Sequence, residues 1–261
     1  MQIFIINLPN AIERRQFQQK QLSKLGLDYE ILKATSIHDI SHETFAKHYQ
    51  DWQRPLRNTE VACYFSHRSA WLKIIDNNMP ALILEDDALL SKHTPGILNS
   101  INEHSNADLI QLEIRGRKKL IKKQGLVILS THSLYRLYQD RTGAAGYVLW
   151  PSGAQKLLEH ENLNGIGLAD AHIATCYSLK SYQIEPAAII QLDLCIDYNV
   201  KNSYSKELSS STVSIVENVK SPFYFQIKRL YSQLKIGLHV VKMLNRKSSI
   251  RFININPGDF L

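Results

Sequence analysis

The feature that most constrains the fold of this chain is an apolar run, residues 81–84, that ends in three consecutive carboxylates, Glu85, Asp86 and Asp87. A short continuous apolar run is typical of a buried strand, and the acids then fall at the strand's carboxyl end. Open α/β sheets bind their ligands at that edge. Because adjacent acids repel one another, the triplet fits either a solvated turn or a cation site, with a phosphate-bearing divalent metal as the leading candidate.

The chain has 261 residues and 44% hydrophobic content, which is enough to bury a substantial core. It contains no apolar run long enough to span a bilayer, and its first residues lack the features of a signal peptide, so we expect a cytoplasmic protein. Cys63, Cys176 and Cys195 are odd in number and widely spaced, which argues against a disulfide framework or a zinc site and predicts core thiols.

The net charge of +7 indicates an anionic partner, which can be nucleic acid, phospholipid or a phosphorylated substrate. Much of the excess lies after residue 219, where Asp259 is the only acid. Residues 203–214 are rich in serine and predict a linker. Beyond them, apolar residues at helical spacing alternate with lysines, which predicts a basic amphipathic helix. Packing of that helix on the domain and attachment to a membrane surface both fit the pattern.

Predicted strands alternate with predicted helices along the rest of the chain. A strand over residues 3–6 is followed by a turn that contains Asn7 and by a helix over residues 11–25, and residues 60–76 have helical spacing before the acidic strand. Further predicted strands are residues 29–34, 108–112 and 146–150. This alternation predicts an α/β fold with a mainly parallel sheet. We expect one catalytic domain over residues 1–205, and a linker with a basic helical tail over residues 206–261.

The order of several short motifs is the most specific signal in the chain. The motifs are residues 5–8, residues 13–15, residues 60–67 with Trp71, residues 84–87, residues 142–147, Ala169 with Asp170, and Pro186 with Gln191. In this order they resemble the family 25 glycosyltransferases, which include bacterial enzymes that extend lipooligosaccharide and lipopolysaccharide cores. Each motif is weak alone, and the ordered set is specific. One departure is Ala62, where the family often has glycine.

The resemblance implies a GT-A-like domain, a twisted sheet flanked by helices, that uses a nucleotide sugar. In such enzymes an Asp-x-Asp-like element holds a divalent metal on the sugar-nucleotide diphosphate, and residues 85–87 supply that element here. Hard oxygen ligands suit Mn²⁺ or Mg²⁺. We expect Asp87 to be the direct metal ligand, with Glu85 as a further ligand. Either Glu85 or Asp86 is expected to contact the ribose or the sugar.

Basic residues near the first strand are expected to bind the donor phosphates. Arg14 and Arg15 stand at the start of the first predicted helix, where a helix N-terminus and guanidinium groups both favour phosphate. Adjacent helical positions point to different sides, so at most one of the two reaches the donor. The resemblance also assigns Asn7 to the donor pocket.

The resemblance assigns four more residues to that pocket: Ser66, His67, Gly146 and Gln191. A histidine on a half-apolar helix is otherwise typical of a structural hydrogen bond, so only the family pattern links His67 to the donor. Gly146 belongs to a run of small residues, 142–146, that allows either close approach of a ligand or tight packing. Gln191 is expected to orient a sugar hydroxyl.

Inverting transfer, which the resemblance implies, needs a carboxylate that takes the proton of the acceptor hydroxyl. Asp170 is the candidate because it follows a flexible stretch, residues 165–169, and matches a family aspartate. An N-cap for the following helix is the alternative role. Asp193 and Asp197 are weaker candidates.

The expected partners are a UDP-hexose, with UDP-galactose as the leading donor, a lipooligosaccharide or lipopolysaccharide core acceptor, and the anionic inner membrane, which the tail contacts from the cytoplasmic face. No nucleic acid is expected. A metal-dependent nucleotidyltransferase is the first rival interpretation, but a glycine-rich, lysine-bearing phosphate loop is missing near the first strand. A basic nucleic-acid-binding module is the second rival, and the body of the chain lacks the pattern of any such module.

Overall fold

A computed structural model of the chain describes residues 1–101, 106–141, 143–201 and 222–260. These residues form a mixed α/β fold around one large sheet. The strands are β1 (Gln2–Asn7), β2 (Glu30–Lys33), β3 (Ala81–Glu85), β4 (Ala88–Leu90), β5 (Leu109–Gln111), β6 (Lys119–Lys122), β7 (Leu126–Leu129), β8 (His132–Gln139), β9 (Gly146–Leu149), β10 (Ser181–Glu185), β11 (Ile189–Gln191) and β12 (Ser248–Arg251). The helices are α1 (Ile12–Lys24), α2 (His42–His48), α3 (Asn58–Asn77), α4 (Thr94–Ile101), α5 (Pro151–Asn164), α6 (Ala169–Thr175) and α7 (Phe223–Met243). The predicted α/β class is confirmed.

The order of the strands in the large sheet is β12-β6-β8-β10-β5-β9-β3-β1-β2, and β7 pairs with β8. Strand β1 is parallel to β2 and β3, and β5 is parallel to β10. Strand β9 returns between β5 and β3 in the opposite direction, and β6, β7, β8 and β12 also pair antiparallel. The sheet is therefore parallel on the β1 side of the acidic strand and antiparallel on its β9 side, and the carboxyl ends of β1, β2 and β3 meet at one edge.

Alternate residues of β3 pack against two different helical layers. Ile83 belongs to a buried cluster with Tyr64 and Trp71 of α3, whereas Leu82 and Leu84 belong to a cluster that includes residues of α1 and α4. This burial on both faces explains the continuous apolar run in the sequence. It also fixes the register of β3, because a slip by one residue would exchange the two faces.

Helix α3 leads directly into β3 and has a defined signal at each end. The Glu60 carboxylate accepts a hydrogen bond of 2.9 Å from the Arg57 backbone at the helix start. At the other end, Asn78 adopts a left-handed conformation with φ of 49°, which stops the helix before Pro80. These two signals fix where α3 lies against the sheet and thus where Ser66 and His67 stand.

The segment after residue 221 returns to the sheet. Helix α7 occupies the stretch where the sequence predicts an amphipathic helix, and β12 then pairs with β6. Phe260, which is 5% exposed, forms a bridge to Ser91 beside β4. The described residues 248–260 therefore belong to the body of the fold instead of a helical tail, because β6 offers them an open edge and the core buries Phe260. The linker predicted over residues 203–214 and the boundary predicted at residue 205 lie outside the described residues.

Among the helices of the described ranges, none has both the length and the apolar character needed to cross a bilayer.

Candidate active site

The edge where β1, β2 and β3 end opens into a cleft with a volume of about 430 Å³. Its lining includes all three acids of the triplet, Glu85, Asp86 and Asp87. Four more of the residues predicted from the sequence line it as well: Arg14, Ser66, His67 and Gln191. The loop after β2, residues 34–38, forms the opposite wall. The structure thus brings most of the predicted donor-binding residues together in one place.

Asp86 connects the acidic triplet to the first strand and the first helix. Its Oδ2 accepts a hydrogen bond of 2.8 Å from Asn7 Nδ2, and its Oδ1 forms an ion pair of 2.8 Å with Arg14 Nη1. The same guanidinium nitrogen lies 3.9 Å from Asp87 Oδ2. Asn7 is 2% exposed and does not itself line the cleft, so its role is to hold Asp86. Asp86 in turn holds the Arg14 side chain at the cleft wall.

A buried chain of hydrogen bonds ends at Glu85. Trp71 Nε1, which can only donate, lies 2.9 Å from the Tyr147 hydroxyl oxygen. The Tyr147 hydroxyl then donates to His67 Nδ1 at 3.0 Å, which leaves the ring proton on Nε2, 3.2 Å from Glu85 Oε1. This proton assignment follows from the network. Gln191 Nε2 donates to Glu85 Oε2 at 3.0 Å, so both carboxylate oxygens face donors.

The pKa values of Glu85 and Asp87 are shifted in opposite directions. Burial acts to raise the pKa of Glu85, but the hydrogen bond and electrostatic interaction with His67, followed by the charges of Arg115 and Arg14, lower it below its usual range. Burial, followed by the charge of Glu85, raises the pKa of Asp87 to about 7. Asp87 receives one long side-chain hydrogen bond, 3.3 Å from Gln191 Nε2. Glu85 is therefore the stabilised carboxylate, and Asp87 is the carboxylate whose charge is poorly compensated.

The carboxylate oxygens of the acidic triplet fit a divalent cation. A cation would compensate the Asp87 charge that the protein itself leaves poorly compensated, and carboxylate oxygens are the ligands that Mg²⁺ and Mn²⁺ prefer. Cys63, His67 and Glu85 also place possible ligand atoms within 4.8 Å of one another. However, His67 Nε2 already donates to Glu85, and burial followed by Glu85 raises the pKa of the Cys63 thiol. A cation would therefore bind at the carboxylates and not at the thiol.

Like Asn7, the predicted donor residues Arg15 and Gly146 lie outside the cleft lining, and Ser66, which lines the cleft, is hydrogen-bonded within the protein. Arg15 Nη2 donates to the Pro9 carbonyl at 2.6 Å, and the side chain does not line the cleft. Gly146 lies under β11, where an added Cβ would meet Ile189 Cδ1 at 2.4 Å, so close packing accounts for this glycine. Ser66 Oγ accepts from the Thr35 backbone at 2.8 Å and thereby anchors the loop after β2. Thr142, at the start of the small-residue run, lies outside the described residues.

Asp170 is separated from the acidic cleft. It lies in the first turn of α6, whose N-cap is Leu168, and it lines a smaller cavity instead. Burial and then Glu85 raise the pKa of Asp170, so the two sites are close enough to interact electrostatically. Asp193, a weaker candidate for the base, lines the cleft itself. Asp197 is exposed and is not part of the lining.

Arg115 is a cleft residue that the sequence analysis missed. It follows β5, lines the cleft and lies 3.4 Å from Asp193 Oδ2 through Nη2. A basic run, residues 115–119, directly after a predicted strand was the available signal. With Arg115 and Arg14 both at the cleft, two guanidinium groups accompany the three acids. Guanidinium groups match phosphate oxygens in geometry and charge, so the cleft combines features for a cation and for phosphates.

Comparison with known proteins gives a consistent set of relatives. The family model described as Glycosyltransferase family 25 (LPS biosynthesis protein) matches residues 1–173. The chain is 21% identical over 259 residues to the lipooligosaccharide biosynthesis protein lic2B of Haemophilus influenzae, an alignment that covers 91% of this chain and 97% of that protein.

Two further relatives align over shorter stretches. The lacto-N-neotetraose biosynthesis glycosyltransferase LgtE of Neisseria meningitidis serogroup B is 24% identical over 168 residues, which cover 61% of this chain and 60% of that protein. Procollagen galactosyltransferase 1 of Danio rerio is 25% identical over 194 residues, 68% of this chain and 31% of that protein. The family match includes β1, α1, α3, β3 and the start of α6, and so covers the acidic triplet.

Proposed function

Because the chain belongs to glycosyltransferase family 25, we propose that it transfers a hexose, with UDP-galactose as the leading donor, to a lipooligosaccharide or lipopolysaccharide acceptor. The observation that carries this proposal is the cleft in which three carboxylates at the end of β3 lie with two guanidinium groups. The names of two relatives support the choice of donor and acceptor. One name contains the word galactosyltransferase, and the other contains the words lipooligosaccharide biosynthesis.

In the proposed complex, the diphosphate of the donor lies in the cleft against the wall that the acidic triplet forms together with the guanidinium groups of Arg14 and Arg115. Asp87 and Glu85 would hold Mn²⁺ or Mg²⁺. When bound, the cation supplies Lewis-acid stabilisation of the negative charge on the leaving diphosphate. The loop after β2, anchored by Ser66, is the proposed contact for the nucleoside, and Gln191 is proposed to orient a sugar hydroxyl.

The proposed reaction is a single displacement with inversion. The acceptor oxygen attacks the anomeric carbon from the side opposite the diphosphate, and the new C–O bond forms as the bond to the diphosphate oxygen breaks. The electron pair of the broken bond leaves with UDP, and the acceptor proton passes to the Asp170 carboxylate. The raised pKa of Asp170 suits this role, because a more basic carboxylate is a better proton acceptor.

Helix α7 supports a peripheral position on the cytoplasmic face of the inner membrane. One face of the helix packs on the body, where Phe225 is buried and His239 Nε2 lies 3.0 Å from the Tyr138 carbonyl oxygen. The opposite face exposes apolar side chains: Ile227, Leu230, Tyr231, Leu234, Leu238 and Val241 are each more than half exposed. Lys228, Lys235 and Lys242 recur every seven residues along one flank. An apolar stripe with a basic flank matches an anionic lipid surface.

A screen of UDP-sugars by thermal stabilisation, with and without Mn²⁺, tests the proposal. A true donor at 100-fold its Kd should raise the Tm by roughly 5 °C or more, and the increase should require the metal. UDP-galactose is expected to give the largest shift among the UDP-hexoses. The proposal would fail if, in the presence of Mn²⁺, no UDP-hexose stabilised the protein and none was hydrolysed by it, and if Asp87→Ala changed nothing measurable.

A further inference from the structure

A second cavity lies beside Asp170, next to the acidic cleft. It has a volume of about 100 Å³ and lies between β5, β8, α6 and α7. Asp170 and Gln111 line it, and His239 and Met243 of α7 contribute to its wall. It shares no lining residue with the acidic cleft. It is therefore a separate space that meets the proposed reaction only through Asp170.

Two residues that line the cavity carry buried polar atoms that have no partner among the described residues. Gln111 is 2% exposed, and its Nε2 donates to the Gly143 carbonyl at 2.7 Å. Its Oε1 is buried and finds no hydrogen-bond partner among the described residues, and the same holds for the Tyr177 hydroxyl oxygen. Leaving such groups unpaired is costly, so this cavity favours a ligand that supplies hydrogen-bond donors.

The chemistry of the lining selects the class of ligand. Gln111 Oε1 can only accept hydrogen bonds, and the same is true of the Asp170 carboxylate when it is ionised. The Tyr177 hydroxyl can either donate or accept. Hydroxyl groups are donors that suit this set, and they can also accept the Tyr177 proton. A volume of about 100 Å³ holds about three waters at roughly 30 Å³ each, or one hydroxyl-bearing edge of a sugar ring.

The position of the cavity matches that of an acceptor. Gln111 pairs with Tyr147 of β9, and Tyr147 pairs with Ile83 of β3, so Gln111 lies two strands from the acidic strand. At the usual spacing between strands this separation is about 10 Å. Glu85 and Arg115, which line the acidic cleft, both act electrostatically on Asp170. A hydroxyl held in the cavity thus has Asp170 beside it and the donor cleft within one sugar length.

We propose that this cavity binds the hydroxyl-bearing edge of the acceptor sugar and presents the attacking hydroxyl to Asp170. The inference rests on the proposed function, and it assigns Gln111 and Tyr177 to acceptor binding. Helix α7 carries the apolar stripe on its outward face and borders the cavity with its inward face. An acceptor whose lipid lies at the stripe therefore has its saccharide near this cavity.

Two variants test the assignment. Ala174 lines the cavity, so Ala174→Leu fills part of it, and Tyr177→Phe removes only the hydroxyl. Tyr49→Phe, at the C-cap of α2 and outside both linings, is the matched control. The probes are methyl β-D-glucoside and methyl β-D-galactoside, whose binding is measured by ligand-observed NMR and whose KM as acceptors is measured with UDP-galactose and Mn²⁺. Thermal unfolding confirms that each variant is folded.

The expected result is a selective loss of acceptor affinity. Ala174→Leu should abolish the NMR signal of the bound glycoside, and Tyr177→Phe should raise the acceptor KM about fivefold to tenfold, at least five times more than the KM for the UDP-sugar. Unchanged glycoside binding in both variants would overturn the inference and leave a cavity that holds only water. Equal increases in the two KM values would also overturn it. A third outcome separates the two proposals. If the wild type bound the glycosides but turned over no UDP-hexose, and Ala174→Leu lost that binding, the proposed function would be refuted and the cavity assignment would be retained.

Discussion

The acidic cleft and the outward face of α7 are both charged in sequence, yet the fold treats their charges in opposite ways. In the cleft, Asp86 and Glu85 are held by partners from four other elements, and Asp87 lies almost fully buried beside them. On α7, Lys235 and Lys242 lie exposed beside apolar side chains that are themselves exposed. Burial makes the ionisation of the cleft carboxylates affect the stability of the fold and the chemistry of the site. The exposed lysines of α7 instead remain available to interact with a partner.

The largest effect is expected from the least compensated charge of the cleft. Asp87→Asn should lower metal-dependent turnover of the UDP-sugar by at least about 100-fold, because it removes a proposed ligand. The same change should increase the free energy of unfolding at pH 8. Because the pKa of Asp87 is raised to about 7 in the folded state, stability is lost as the pH rises from the ordinary aspartate range to about 7, and the loss is complete at pH 8. The amide does not ionise and avoids this loss.

Steady-state hydrolysis and urea denaturation measure the two effects of this change. Asp76→Asn, at the exposed end of α3, is the matched control and should leave both quantities unchanged. Full activity of Asp87→Asn would show that this carboxylate takes no part in donor binding, and the contrast between cleft and helix would then lose its main support.

The next effect concerns the buried hydrogen bonds that hold Glu85. Tyr147→Phe leaves Trp71 Nε1 and His67 Nδ1 without their shared partner, so it should cost about 1–3 kcal/mol of unfolding free energy. It should also weaken Mn²⁺ binding by about 10-fold to 100-fold, as expected for a residue that orients a ligand. His67→Gln can still accept from Tyr147 and donate to Glu85, so it should lose much less affinity.

Calorimetric titration with Mn²⁺ across these variants gives the affinities. A purely structural role of Tyr147 predicts lost stability with normal metal affinity, and that result would contradict the proposed role of these hydrogen bonds in orienting Glu85.

The pH dependence of metal binding sharpens the comparison further. Because Mn²⁺ binds the ionised carboxylate, its affinity should rise with pH and level off above the Asp87 pKa of about 7. From pH 6 to pH 8 the increase should be about tenfold. In Asp87→Asn this step should disappear. A wild-type affinity that is flat over the same range would mean that Asp87 is not a ligand.

The smallest effect on the enzyme itself is expected from the outward face of α7. Leu234→Ser should weaken binding to anionic vesicles at least fivefold, because an exposed leucine loses its apolar contact with lipid. The unfolding free energy should change by less than about 0.5 kcal/mol, and turnover of a soluble acceptor should be retained. Gln233→Ser, an exposed neighbour on the helix, is the control.

Vesicle co-sedimentation at low and high salt measures this binding, which salt should weaken. Single substitutions are preferable to deletion of the segment, because deletion would also remove β12 and Phe260 from the body. Equal vesicle binding of wild type and Leu234→Ser would argue against the lipid surface as the partner.

The acidic strand and its neighbours could be predicted because they depend on local patterns. The apolar run of β3 required burial on both faces, and the acids after it had to lie at the edge where β1 also ends. Arg14 was found because a helix start after a strand returns to the same edge. The sequence left open which of two adjacent arginines reaches the cleft, and the ion pair with Asp86 decides for Arg14.

The remainder of the site depends on pairings between distant segments, which no local pattern reveals. The position of β9 between β5 and β3 brings Tyr147 to His67 and Gln111 to the neighbourhood of Asp170. The same topology places Arg115 at the cleft. Spacing along α7 predicted a two-sided helix, but only its packing shows that the apolar stripe faces outward.

The pairing of β12 with β6 has a consequence for how the chain is made. Synthesis delivers β6 first, and its partner, beginning at Ser248 opposite Lys122, follows only after a long intervening stretch of chain. Until then the edge of β6 stays open, and the seat of Phe260 beside Ser91 stays empty. Contacts between such distant segments slow folding, and an open strand edge favours association with other chains. Nascent chains that stall before β12 are therefore the species most exposed to aggregation.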